Sequence, residues 1–442
     1  MGIQLSDHFN IKRLVRFTLP TIGMMVFTSI YGVVDGLCVS NLIGKDALAA
    51  VNIVMPFPLM CSSLGLMFGT GGAAYLSRLL GRGRKERAHR LLSLLVLASA
   101  TIGLIATLAG IAYMPQLARL MGASEQLLPL CVVYGRTFML CIIPYILQNI
   151  FQSLLITAER PQLGLRFTLI AGLTNIILDL LFIGVCGMGV AGAAWATVVS
   201  CTIGGIGPLL YLLSPNKSLL RMRKPVWDWR ALLHICFNGA SEMITELSVP
   251  LCSVLYNLQL MRLVGEDGVA AYGAITYIAY IFISIILGYL TGLENIIGYH
   301  YGAENYAEVQ NLRRKSLKLA GYFGATAFVV ALLLAPWLAK LFVGYNAALA
   351  TLTTHAFRIY SLAFLIMGIN AFTSSLFTAV GNGGISGAIS FCRTFLFQAI
   401  AVVLLPAVAG VDGIWLSIFI GEFLCLGISG WFYWRNKERY KY

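Results

Sequence analysis

Charged side chains are scarce in this chain. They make up 11% of its 442 residues, whereas 59% of the residues are hydrophobic, and soluble domains carry about 25% charged residues. The mean hydropathy of +0.82 is higher than a soluble core of this length requires. The scarcity of charge therefore excludes a soluble globular protein and indicates that lipid surrounds most of the chain.

Several signatures of enzymes and metalloproteins are also missing. The ten cysteines contain no C-x-x-C pair and the five histidines show no ligand spacing, so neither a disulfide framework nor a structural zinc site is expected. The sequence has no G-x-x-x-x-G-K-S/T phosphate loop, and its apolar segments contain no His-Glu metal motif or Ser-Lys pair. These absences argue against ATP-driven transport and against an intramembrane enzyme, and no cofactor is expected.

What the chain has instead is apolar runs, twelve of them long enough to cross about 30 Å of hydrocarbon. They lie at about 14–39, 48–76, 91–113, 127–156, 165–185, 190–212, 232–260, 269–297, 317–342, 357–380, 385–406 and 414–434. Most of the 31 Lys and Arg residues fall in alternate connections and at the two ends of the chain. The positive-inside rule therefore predicts a multi-pass inner-membrane protein with both termini in the cytoplasm. No cleaved signal is expected, because the first apolar run is too long for a signal peptide and lacks a small-residue cleavage site. The positive-inside rule also explains the net charge of +13, so nucleic acid is not an expected partner.

Three segments recur at a single offset, which is half the length of the chain. Residues 43–50 (IGKDALAA) resemble 264–271 (VGEDGVAA), Gly81 corresponds to Gly302, and 189–192 (GVAG) recurs as 410–413 (GVDG). The predicted fold is thus an all-α polytopic membrane protein with 12 transmembrane helices in two parallel six-helix repeats, 1–221 and 222–442. Transporters of this design bind substrate between their halves and alternate its access; a purely structural duplication is the alternative.

Acidic side chains interrupt two spans of the first half. Asp35 lies in the first span, and Asn175 and Asp179 lie one helical turn apart in the fifth. An ionised group at the bilayer centre costs about 2.5–3.5 kcal/mol. If the two spans touch, these oxygens form a cluster that takes up a proton or a sodium ion, with Asp35 and Asp179 as the charged ligands; otherwise each Asp bonds to a neighbouring helix. Pro20 lets the first helix bend, because it removes a backbone hydrogen bond.

Other polar side chains within spans are candidates for a substrate cavity. Glu242 and Glu246 are one turn apart in the seventh span and would attract a cationic substrate. Gln148, Gln152 and Asn370 are further candidates. The alternative for all five is hydrogen bonding between helices.

Several of these segments together resemble the MATE (multidrug and toxic compound extrusion) family, in its bacterial multidrug export branch. They are 33–36 (VVDG), 44–50 (GKDALAA), 175–179 (NIILD), 187–194 (GMGVAGAA), 239–246 (GASEMITE) and 301–306 (YGAENY). The likeness covers nearly the whole chain. It implies a V-shaped, two-lobed bundle that exports small amphipathic, often cationic compounds in exchange for protons or sodium.

The resemblance also implies where the coupling ion binds. The family's cation site would fall on Asp35, Asn175 and Asp179, with Thr197 in the sixth span as a fourth polar ligand. Small-molecule substrates and the lipid bilayer are the expected partners, and a monomer is expected. The alternative function is that of a flippase of the same superfamily, which moves lipid-linked precursors. The acids within the spans argue against it, because phosphates require a cationic cavity.

Overall fold

The computed structural model describes residues 3–344 and 346–442. Within these residues the chain is helical and has no β-strand. Its α-helices are α1 (Ile11–Leu42), α2 (Lys45–Val54), α3 (Pro56–Gly81), α4 (Lys85–Leu120), α5 (Leu128–Met139), α6 (Ile142–Thr157), α7 (Pro161–Asp179), α8 (Gly189–Leu213), α9 (Trp229–Leu263), α10 (Glu266–Gly302), α11 (Tyr306–Val343), α12 (Ala347–Tyr360), α13 (Phe364–Val380), α14 (Gly383–Phe391), α15 (Phe397–Leu404) and α16 (Pro406–Tyr440).

Short polar side chains and prolines determine where many helices begin. The side chains of Asp228, Asn305, Asn346 and Asn382 accept hydrogen bonds from backbone N–H groups in the first turns of α9, α11, α12 and α14. These bonds satisfy donors that have no partner inside the helix. Pro161 begins α7, a position where the missing N–H of proline costs nothing.

The number of spans depends on how α9 is treated. Among the residues described, ten helical segments are long and apolar enough to cross a membrane, and α5 with α6, bent by 56°, makes an eleventh. Helix α9 has 35 residues and is roughly 52 Å long, and it packs along α3 and α14. Its interior includes Asn238, Glu242 and Glu246, which lower its hydropathy. The all-α polytopic fold is confirmed with ten or eleven apolar spans, and the predicted count of twelve would require α9 as a further span.

Among the described residues, buried apolar side chains form three clusters. One consists of residues between Ala47 and Ile235 and another of residues between Cys252 and Ile418. The third joins both halves and includes Leu5, Phe9, Leu290 and Phe377. We call its location the basic end of the bundle, where α1, α4, α7, α9 and α11 begin and α3, α8, α10, α13 and α16 end. The first cluster also reaches the second half through Ala231, Leu232 and Ile235 near the start of α9. The halves therefore share buried contacts at the basic end, in agreement with a V-shaped bundle.

Helices α3 and α10 make a reciprocal contact at the basic end. A Cβ atom on Gly81 would lie 2.0 Å from the carbonyl oxygen of Tyr299, and one on Gly302 would lie 2.2 Å from that of Arg78. Arg78 and Tyr299 occupy matching positions of the two repeats, as do the two glycines. Exchanging the halves thus reproduces the contact, as expected for a two-fold axis between them, and only glycine permits so close an approach of two backbones.

The other repeated glycines also have a conformational explanation. Gly44 and Gly265 have φ values of 115° and 87°, and Gly189 and Gly410 both have a φ of 58°. Side chains disfavour this region of backbone space, so both halves require glycine at matching turns. The predicted boundary between the repeats falls in the non-helical connection between α8 and α9, and the division into 1–221 and 222–442 stays a prediction.

Candidate functional site

Two carboxyl groups meet between α1 and α7. Asp35 is on α1 and Asp179 is the last residue of α7, and these two helices pack side by side. Their carboxyl groups are close enough to influence each other electrostatically. A π-helical turn, Leu180–Val185, follows Asp179 directly, and such turns are frequent at functional sites. The structure thus brings together the two acids that were predicted to be neighbours.

Neither acid has a cationic partner in the part of the chain that the structure describes. Asp179 is fully buried. Both of its carboxyl oxygens, and Oδ1 of Asp35, make no hydrogen bond to any residue that the structure describes. Two adjacent negative charges in such a place are strongly unfavourable, and a bound proton or cation would remove the repulsion. The pair is therefore suited to binding and releasing a positive charge.

The other two predicted ligands lie on α7 and α8. Asn175 is buried one turn before Asp179. The hydroxyl group of Thr197 donates to the carbonyl oxygen of Ala193 in its own helix, at 3.1 Å. No cluster of three or more His, Cys, Asp or Glu side chains occurs among the described residues. A hard cation such as sodium accepts oxygen ligands of the carboxylate and amide types, so the donor chemistry of Asp35, Asn175 and Asp179 fits it.

A cavity of about 160 Å³ lies within the second half, and Glu246 lines it. Its wall is mostly aromatic and apolar, with two acids and one arginine. The residues that give it this character are Glu246, Tyr256, Tyr272, Tyr280, Tyr360, Arg393 and Glu422. Glu242 precedes Glu246 by one turn of α9. A cavity with several aromatic faces and an excess of acid suits an amphipathic cation.

An interhelical network stands beside this cavity. The side-chain amide of Asn370 donates to the carbonyl oxygen of Glu422 at 2.8 Å and to its Oε2 at 2.7 Å. Nη1 of Arg393 lies 3.8 Å from Oε1 of Glu422. Asn370 thus bonds one helix to another, which was the alternative to its lining a cavity. Sequence reasoning missed this network and the tyrosines, although the signal was an Arg and a Glu within apolar segments.

The remaining predicted residues lie in the first half. Gln148 and Gln152 on α6 line a small pocket of about 10 Å³ that also borders α7 and α8, in the half opposite to Glu246. Helix α1 continues through Pro20, which borders a different pocket at the basic end. The predicted cavity residues are therefore distributed over both halves.

The helical bundle thus has a carboxyl pair in one half and an acidic, aromatic cavity in the other. This combination is the design of a membrane transporter.

The chain belongs to the MatE family, whose model matches residues 20–181 and 243–404. The family's members are transporters and not enzymes. The resemblance inferred from the sequence motifs is confirmed.

Individual relatives agree with this assignment. The multidrug export protein MepA of Staphylococcus haemolyticus is 23% identical over 415 residues, covering 94% of this chain and 91% of MepA. A solved structure of MATE in complex with MaL6 superposes with a TM-score of 0.94 at 23% identity, covering 100% of this chain and 99% of that one. The structure of an outward-facing multidrug resistance MATE family transporter of the MOP superfamily superposes with a TM-score of 0.93 at 23% identity. It covers 100% of this chain and 98% of that one. These structural likenesses establish the fold.

Proposed function

We propose that this protein is a secondary antiporter that exports small amphipathic cations in exchange for protons or sodium. The observation that carries the proposal is the adjacent carboxyl pair, Asp35 and Asp179, for which the described residues supply no cationic partner. The functions for which its relatives are named, multidrug export and multidrug resistance, point to the same kind of substrate.

Neutralisation of the carboxyl pair supplies the coupling step. A proton or sodium ion that arrives between Asp35 and Asp179 removes their repulsion and allows α1 and α7 to pack more closely. When the cation leaves, the repulsion returns. Because Pro20 lies within α1, that helix can bend in response, and the change reaches the shared core at the basic end.

The second half would hold the exported compound. The phenol rings of Tyr256, Tyr272 and Tyr280 provide faces for a cation, and Glu246 provides a negative charge. The arginine in this cavity, Arg393, lies beside Glu422 and leaves no net positive charge for a phosphate. The observed cavity therefore favours drug export over flipping of lipid-linked precursors.

The proposed setting is an inner, cytoplasmic membrane, with the basic end in the cytoplasm and the protein acting as a monomer. The basic residues at the basic end support this orientation through the positive-inside rule. The two lobes, 1–221 and 222–442, would move relative to each other about their shared core. The two separate matches to the family model support the division into lobes.

Transport of a cationic dye into inside-out proteoliposomes tests the proposal. A pH gradient and a sodium gradient are imposed separately, so the gradient that drives uptake identifies the coupling ion. Asp35→Asn and Asp179→Asn should each reduce driven uptake at least tenfold, because a neutral amide cannot gain and lose charge. Asp412→Asn, an exposed acid at the opposite end that pairs with His355, is the control and should transport normally. Normal transport by both test variants would remove the carboxyl pair from the mechanism.

A further inference from the structure

A second pocket, of about 340 Å³, opens at the basic end between α1, α7 and α8. Pro20, which lines this pocket, lies about 22 Å along α1 from Asp35, as the rise of an α-helix per residue implies. Three arginines line the pocket: Arg16 on α1, Arg160 in the turn before α7, and Arg166 on α7. The residues that define it are Arg16, Phe17, Glu159, Arg160, Arg166 and Tyr211. The coupling site and the aromatic cavity contain none of these residues.

The pocket has an excess of positive charge. Arg16 and Arg166 are exposed, and neither forms an ion pair with any described acidic side chain. Arg160 donates from Nη2 to the backbone carbonyl of Lys217 at 3.0 Å, which positions its guanidinium without neutralising it. The acid in the wall, Glu159, accepts the N–H of Leu5 at 2.7 Å, and burial raises the pKa of its carboxyl group. At least two positive charges are left for an anion.

Exposed apolar side chains lie on the same three helices, close to the pocket. Leu19 on α1 is 58% exposed, Ile170 on α7 is 52% exposed and Leu210 on α8 is 61% exposed. Side chains of this kind on a membrane-spanning helix face acyl chains. The pocket thus combines a cationic recess with an apolar flank that continues into the bilayer.

We propose that this pocket binds the phosphate group of an anionic phospholipid. The guanidinium groups of Arg16, Arg160 and Arg166 contact the phosphate oxygens, and the acyl chains lie along Leu19, Ile170 and Leu210. Basic pockets between transmembrane helices are suited to anionic head groups. A free phosphate ion would use the same arginines, but it would have no use for the apolar flank.

The test measures lipid binding and not transport, so its failure is distinct from failure of the proposed antiport. The purified full chain in detergent is titrated with phosphatidylglycerol or phosphatidylcholine, and bound lipid is counted by native mass spectrometry. The double variant Arg16→Gln/Arg166→Gln should bind phosphatidylglycerol roughly tenfold to thirtyfold more weakly, since each basic residue contributes about fivefold. Its binding of phosphatidylcholine should not change.

The matched control is Arg90→Gln/Arg314→Gln, which removes the same charge from exposed positions on α4 and α11 at the same end of the bundle. It should bind phosphatidylglycerol within twofold of the natural protein. An equal loss in the control would attribute the binding to general surface charge and overturn the proposal. Equal binding of both lipids by the natural protein would also overturn it, as would displacement of phosphatidylglycerol by millimolar inorganic phosphate.

Discussion

The N-terminal segment before α1 connects the two halves at the basic end, and one buried acid holds it there. The N–H of Leu5 donates to Glu159 in the first half at 2.7 Å, and the N–H of Phe9 donates to Oε1 of Glu308 in the second half at 2.9 Å. Nδ1 of His8 lies 2.6 Å from Oε2 of Glu308. Leu5 and Phe9 are fully buried. Opening the basic end requires these contacts to break, so their strength affects the balance between conformations.

Replacing Glu308 by alanine measures that strength. The substitution leaves the buried N–H of Phe9 without an acceptor, and the side-chain amide of Asn311, 2.9 Å from Oε1, loses the same partner. A buried donor left unsatisfied costs about 1–3 kcal/mol. Taking about 2 kcal/mol, the amide of Phe9 should exchange with solvent about thirtyfold faster. Hydrogen exchange of the peptide covering residues 3–10, followed by mass spectrometry, measures this change.

A second acid–histidine pair provides the control for Glu308→Ala. Asp412 lies 2.9 Å from His355, but their side chains are 51% and 57% exposed. Exposed pairs contribute about 0–1 kcal/mol, so Asp412→Ala should leave exchange in residues 3–10 unchanged. Unchanged exchange of this peptide in Glu308→Ala would refute the reasoning, because apolar packing and the remaining hydrogen bonds, such as that of Leu5 to Glu159 and that of Lys315 to the carbonyl oxygen of Phe9, would then suffice to hold the segment. Faster exchange throughout the protein would point to general loss of stability.

Three further substitutions should lower the thermal unfolding midpoint in one detergent, and a fourth serves as a control. Gly239→Ala should lower the midpoint by several degrees, because the new Cβ would lie 1.9 Å from a backbone oxygen of α3. The control is Gly273→Ala, whose Cβ would meet open space. It should leave the midpoint equal or higher, because alanine favours a helix over glycine by up to about 1 kcal/mol. Asp228→Ala should cost about 1 kcal/mol by removing the N-cap of α9. The pKa of Asp228 is lowered first by the hydrogen bond from the backbone N–H of Ala231 and then by the ion pair with Arg87 of α4. The cost of Asp228→Ala should therefore disappear as the pH falls through that lowered pKa. Glu422→Gln should lower the free energy of unfolding by about 3 kcal/mol or more, because it leaves Arg393 without its anionic partner. A smaller loss would show that Arg393 finds another partner.

Much of the architecture was predictable because it depends on local or regularly repeated signals. Hydropathy identifies the long helices, and the glycine pairs at corresponding places in the two repeats predict matching turns, which the positive φ values of Gly44 and Gly265 explain. The cost of burying charge marked Asp35 and Asp179 as candidates, but only the family resemblance implied that they share one site. Helix α9 was harder to classify from composition alone, because Glu242 and Glu246 reduce the apolarity that marks a span.

What could not be predicted depends on contacts between distant positions. Arg393, Glu422 and Asn370 come from three separate helical segments, and nothing in their local sequence pairs them. The π-helical turns beside Asp179 and around Arg393 change which face a side chain presents, and apolar periodicity does not reveal them. The first residues of the chain read as a polar terminus, yet Phe9 contacts Glu308 across 299 positions.

The duplicated halves share a backbone design but have different charges at matching positions. When the repeats are aligned on their shared glycines, Asp35 corresponds to Tyr256 and Thr197 to Ile418, both of which line the cavity of the second half. Conversely, Glu422 corresponds to Cys201. The same place in the framework therefore holds a carboxyl group in one half and an aromatic wall in the other. Because a carboxyl group without a partner responds to a proton or cation while a phenol wall accepts a bulky organic cation, the asymmetry supports coupling in the first half and substrate binding in the second.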